Sequence, residues 1–169
     1  MIISPLTVLF LLKSQDTLIS GHTLGKWIST AVDLASKVRP FFRQLVPLAL
    51  DNGIFVAIVT FSPQVKLIQQ VISHVFPGHY SNILIRGLDL SWDYQGLGSC
   101  EGKQKHMASA AEEFNNGNAD NVNSITRATS LLLDDDMNNV YVALKSRVRA
   151  VLCNPDQPRT MIEDLLMME

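Results

Sequence analysis

The sequence predicts an α/β fold: a doubly wound, mostly parallel sheet with helices on both faces. Short apolar runs alternate with longer helical stretches along the whole chain. The first run, TVLFLL at Thr7 to Leu12, shows no polar alternation, as expected of a strand covered on both faces. The lengths of the alternating segments are those of strand–helix–strand units.

The elements follow in order. Met1 to Leu12 is apolar enough to imitate a signal-peptide core. No basic residue precedes it, Pro5 interrupts it and it is too short to span a bilayer, so a buried strand is expected. Leu24, Trp27, Ile28, Ala31, Val32 and Ala35 recur at helical spacing. Pro40 suits the first turn of a second helix reaching about Asp51; Pro47 predicts a kink or late start, and Asn52-Gly53 closes it. Ile54 to Thr60 (IFVAIVT) is the clearest strand. Ser62-Pro63 opens a helix from about Gln64 to Val75, stopped near Pro77-Gly78.

A short strand is expected at Asn82 to Ile85, and Trp92 and Tyr94 suggest a small extra strand in the mixed stretch 86–101. Lys103 to Phe114 reads as a helix, and Asn115 to Asn123, rich in Asn and Gly, as a surface loop. Leu131 to Leu133 is a strand running into aspartates, Met137 to Ser146 a helix, Arg149 to Leu152 a last strand and Pro158 to Met168 a terminal helix. No internal repeat interrupts this pattern, and a single domain over residues 1–169 is expected.

Composition narrows the function classes. Hydrophobic residues make up 47% and charged residues 18%, a globular rather than a disordered balance. A net charge of −2 with no Lys/Arg cluster argues against a nucleic-acid partner, and no segment suits a membrane span. Cys100 and Cys153 lie far apart and outside metal-ligand spacing. A reduced, intracellular and cytoplasmic protein is expected.

In a parallel sheet, ligands bind beyond the carboxyl ends of the strands. SLLLDDD, residues 130–136, ends a strand in adjacent carboxylates, hard oxygen donors that suit Mg²⁺. The plainer reading is helix capping, but a cap needs one acid, and clustered carboxylates repel each other without a cation. VAIVTFSP, residues 56–63, puts the Thr60 hydroxyl after a strand and beside a helix start, where phosphate can be cradled; an ordinary N-cap looks the same. GKQKHMASAAEEF, residues 102–114, sets a lysine at a helix start, where it opposes the dipole unless an anion is bound. A solvated lysine is the plainer alternative.

In this order and spacing the three segments resemble the haloacid dehalogenase-like superfamily, of the small magnesium-dependent phosphatase type. VRPFFRQLVPLALDNGIFVAIVTFSP looks like its second-motif region, Lys103-x-x-His106-Met107 is similar to its lysine motif, and LLLDDDMNNV with VRAVLCNP resembles the fourth motif and the strand after it. The resemblance implies that Thr60 bonds the phosphoryl group, that Lys103 (or Lys105) neutralises charge, and that Asp134 and Asp135 hold Mg²⁺. It implies a phosphorylated substrate and an aspartyl-phosphate intermediate. The short spacings Leu18 to Pro40 and Thr60 to Lys103 leave no room for a large cap domain.

The first motif of that family, Asp-x-Asp-x-Thr-Leu, falls on Lys13-Ser14-Gln15-Asp16-Thr17-Leu18. Thr17 fits, but Lys13 replaces the nucleophile, which removes a metal ligand and weakens the implied Mg²⁺ site, and Gln15 replaces the general acid/base. An ammonium cannot attack phosphorus as a carboxylate does, and an amide cannot shuttle a proton. Three expectations follow. One is a catalytically inactive phosphatase fold that still binds phosphate, Mg²⁺ or a protein partner. The second is an active phosphomonoester hydrolase whose first strand is altered or mis-assigned in this sequence. The third is a non-catalytic α/β interaction domain.

Overall fold

The computed structural model describes residues 8–12, 31–96, 101–117, 124–154 and 157–167. Its strands are β1 (Val8–Leu12), β2 (Phe55–Val59), β3 (Ile83–Arg86), β4 (Ser130–Asp134) and β5 (Arg149–Leu152). Its helices are α1 (Ala31–Ser36), α2 (Pro40–Asp51), α3 (Val65–Val75), α4 (Gln104–Gly117), α5 (Met137–Lys145) and α6 (Pro158–Leu166). All strand pairs are parallel, and the five strands lie in the order β3-β2-β1-β4-β5. Leu12 pairs with Val59 and Leu11 with Leu133, so the carboxyl ends of β1, β2 and β4 share one edge.

β2 to β4 are rich in apolar residues because most of their side chains are buried on one face or the other. Val56 and Ile58, Ile83 and Ile85, Leu131 and Leu133 point into one core with α1, α2, α3 and Met161 of α6. The alternate residues Ala57, Val59, Leu132 and Ala150 enter a second core with Met107 and Ala110 of α4 and Val140 and Ala143 of α5. Period-two alternation thus delivers β2, β4 and β5 to two cores.

Several local expectations are revised. α2 runs unbroken through Pro47, with Phe42, Val46 and Ala49 buried; packing of this inner face offsets the lost backbone bond. Its end is as expected: Asn52 is the cap, and Gly53 takes φ +74°, a left-handed conformation suited to glycine. Trp92 and Tyr94 form no strand. Trp92 instead turns its indole N–H to the Gly87 carbonyl at 2.8 Å. The Asn-rich stretch is helical through Gly117, and the Asn115 side chain bonds both backbone groups of Ile125, at 2.7 and 3.1 Å. The helix expected from Leu24 is described only from Ala31. Among the described residues no helix is long and apolar enough to cross a membrane.

Candidate functional site

Three of the strand ends and the start of α4 converge chemically. β4 delivers Asp134 at its last position, fully buried at 0% exposure. Its Oδ1 accepts the Asp136 backbone N–H at 2.9 Å, while the buried Oδ2 has no hydrogen-bond partner among the described residues. Burial raises the Asp134 pKa to about 6; the Asp136 N–H and the Lys103 charge oppose this, and the Asp135 carboxyl adds to it. Asp136 is the helix cap, accepting the Asn138 N–H at 2.8 Å. One acid of the three therefore caps α5, and Asp134 is left for other chemistry.

Lys103 precedes α4 and is 4% exposed, not a solvated lysine. Burial pulls its pKa down, and the charges of Asp134, Asp135 and Asp136 pull it back up. Lys103 and Asp134 feel each other's charge, yet the ion pairs formed among the described residues lie elsewhere. Lys105 is the less suited of the two lysines: its Nζ pairs with Asp93 at 3.2 Å on the surface. Thr60, 1% exposed, follows β2 directly, and its Oγ1 accepts the Ser62 N–H at 3.1 Å. Ser62 in turn accepts the Gln64 N–H at 3.2 Å, building the turn into α3.

Lys13, Gln15 and Thr17 lie outside the described residues. β1 ends at Leu12, beside Val59, so the chain enters that segment at the edge that carries Thr60 and Asp134.

Does this donor set suit Mg²⁺? Oδ2 of Asp134 is a buried, orphaned hard oxygen, and the Asp135 carboxyl lies close enough to perturb it. Among the described residues no third His, Cys, Asp or Glu joins them in a metal-ligating group. Two carboxylates fit a largely hydrated Mg²⁺, which commonly keeps several waters.

Residue types alone did not mark the ring of groups around Lys103. His106 is 5% exposed and packs edge-on between Phe61 and Trp92. Burial, with the charges of Lys103 and Lys105, lowers its pKa to about 4, so it is neutral at physiological pH. Arg86, at the end of β3, is buried too; its Nε donates to Ser109 Oγ at 3.0 Å and its guanidinium pairs with Glu113. Only the Lys-x-x-His spacing hinted at any of this. Cys153 is excluded as a nucleophile because burial pushes its thiol up to about 12. A separate groove of about 420 Å³ lines α4 through Gln104, Met107, Glu112 and Asn115 and includes neither Thr60 nor Asp134.

A scan against protein-family models matches none, and a search of curated proteins finds no match.

Proposed function

We propose that the chain is a haloacid dehalogenase-like phosphatase domain, doubly wound and without a large cap, that binds phosphate but has lost turnover. The observation that carries this reading is the burial of both Lys103 and Asp134, each within reach of the other's charge, with Thr60 after β2. The strand order, which reverses around β1, supports this reading, because ligands of parallel sheets bind at the carboxyl edge where that happens. Buried opposite charges that both shift toward neutrality suit an anionic ligand and its counter-ion.

In this reading the Thr60 hydroxyl donates to a phosphoryl oxygen and the Lys103 ammonium neutralises its charge. Asp134 and Asp135 hold Mg²⁺, which when bound offsets charge on the phosphoryl group. Lys13 has no carboxylate with which to attack phosphorus, and Gln15 cannot exchange a proton with the leaving group. A phosphorylated ligand or a protein partner then binds without being processed.

The test is hydrolysis of p-nitrophenyl phosphate with Mg²⁺, beside thermal unfolding in Mg²⁺ and inorganic phosphate. No metal-dependent turnover is expected, while both ligands raise the unfolding temperature. Metal-dependent hydrolysis abolished by Asp134→Asn would overturn the inactive assignment. Absence of stabilisation by either ligand would instead favour a pure interaction domain. Turnover in Lys13→Asp/Gln15→Asp would locate the loss in those two positions.

A further inference from the structure

Four side chains stand in file beside Thr60. The Lys103 ammonium lies 5.4 Å from the Phe61 ring centroid. Phe61 meets His106 edge to face at 5.3 Å, and His106 meets Trp92 at 4.7 Å. The far end of the file is fastened. The Trp92 indole donates to Gly87 O, and the Leu88 N–H donates to Ser62 O at 3.1 Å. A Cβ at Gly87 would come within 2.5 Å of Ser62 O and Val65 Cγ2, so glycine is what lets the β3 exit lie against the β2 exit. The near end is looser, because Phe61 is 46% exposed. Its ring orientation therefore depends on what stands behind it.

We propose that His106 is a positioning residue: wedged between Trp92 and Phe61, its ring turns the Phe61 face toward Lys103 and so holds the ammonium at the β2 exit. This rests on the reading of Lys103 as a phosphate-site residue. Both His106 ring nitrogens are buried without a hydrogen-bond partner among the described residues, so the ring acts by shape and not by donating a bond. The charges around it require a neutral ring. The charges of Lys103, just before α4, and of Lys105 on it both act on the ring, and the Arg86 guanidinium lies 6.0 Å from the Trp92 ring. Asp93 is engaged by Lys105 at 3.2 Å. Beside the charges of Asp134, Asp135 and Asp136, the Phe61 face offers the ammonium a cation–π contact.

The decisive measurement is the ring-current shift of the Lys103 side-chain protons by NMR. In the wild type these protons move upfield under Phe61. His106→Ala and His106→Gln lose most of that shift, and His106→Phe, which keeps an aromatic wedge, restores it. Val71→Ala, in the opposite core, leaves it unchanged, which separates positioning from general loss of stability. If His106→Ala does not fold, His106→Gln and Trp92→Leu carry the decision. Retention of the full upfield shift in a folded His106→Ala, His106→Gln or Trp92→Leu protein overturns the proposal. Phosphate titration of the same samples reads the other question. A wild type that binds no phosphate removes the functional reading while the ring-current result still decides the role of His106.

Discussion

The two faces of the sheet are packed differently. α1, α2 and α3 bury only apolar side chains, from Leu34 through Phe42 and Val46 to Ile72. α4 buries Gln104, His106 and Ser109 beside Met107 and Ala110, and α5 buries Asn139 beside Val140 and Ala143. Lys103 and Arg86 join them on that side, through their contacts with Phe61 and Ser109. An apolar face stabilises by removing area from water, whereas a face rich in buried polar groups must satisfy each one. The first face holds the fold together, and the second, which carries the candidate site, is polar at some expense of stability.

That contrast predicts the largest effect on the apolar face. Phe42 is 1% exposed, and Phe42→Ala is expected to lower stability by about 3–5 kcal/mol through lost burial and a residual cavity. Ser109→Ala on the other face removes the Arg86 Nε acceptor but leaves the Glu113 pair, and is expected to lower it by about 1–3 kcal/mol. Urea midpoints of the two variants test this. A Ser109→Ala loss equal to or larger than that of Phe42→Ala would break the comparison.

Asp134 gives the next effect, opposite in sign. Its folded pKa, about 6, lies above the ordinary 3.8, so the folded state keeps its proton to higher pH than the unfolded chain. Stability from this group is therefore greatest below about pH 4 and declines as pH rises to about 6. His106 runs the other way: its depressed value, about 4 against 6.5, lowers stability as pH falls between those limits. In metal-free buffer with EDTA, Asp134→Asn is expected to exceed wild type by about 1–3 kcal/mol at pH 7.5 and by little near pH 4. A difference independent of pH would show that burial does not hold Asp134 above its ordinary range.

Much of this architecture was legible in the sequence, and the limits follow from range. Ile54 to Thr60 announced β2 because β-branched residues crowd a run buried on both faces, and β5 falls on Arg149–Leu152 as expected. The terminal helix likewise starts at Pro158. Asp134 stood out because adjacent acids at a strand end need a reason. His106 and Arg86 did not, since their burial depends on Phe61, Trp92 and Glu113, which lie well away from them along the chain. The extra strand expected around Trp92 failed because a local bond to Gly87 and ring packing on His106 outweighed its β propensity. Helix overrun past Phe114 is also tertiary, because Asn115, a loop-former by type, is held by the backbone of Ile125.

The smallest expected effect lies at the end of α5, on the polar side. The Arg147 N–H bonds Leu144 O and the Val148 N–H bonds Ala143 O, each at 2.9 Å, the paired bonds of a Schellman ending. Such an ending puts its first residue past the cap in the left-handed region, and Arg147 has φ +62°. A side chain there is strained in a way that glycine is not. Arg147→Gly is therefore expected to raise stability by about 0.5–1 kcal/mol, less whatever glycine adds to the entropy of the unfolded chain. A destabilised Arg147→Gly would mean that the Arg147 side chain contributes more to this face than its backbone strain removes. Urea unfolding of this variant beside Arg147→Asn separates the two, because asparagine tolerates the conformation without the added chain entropy.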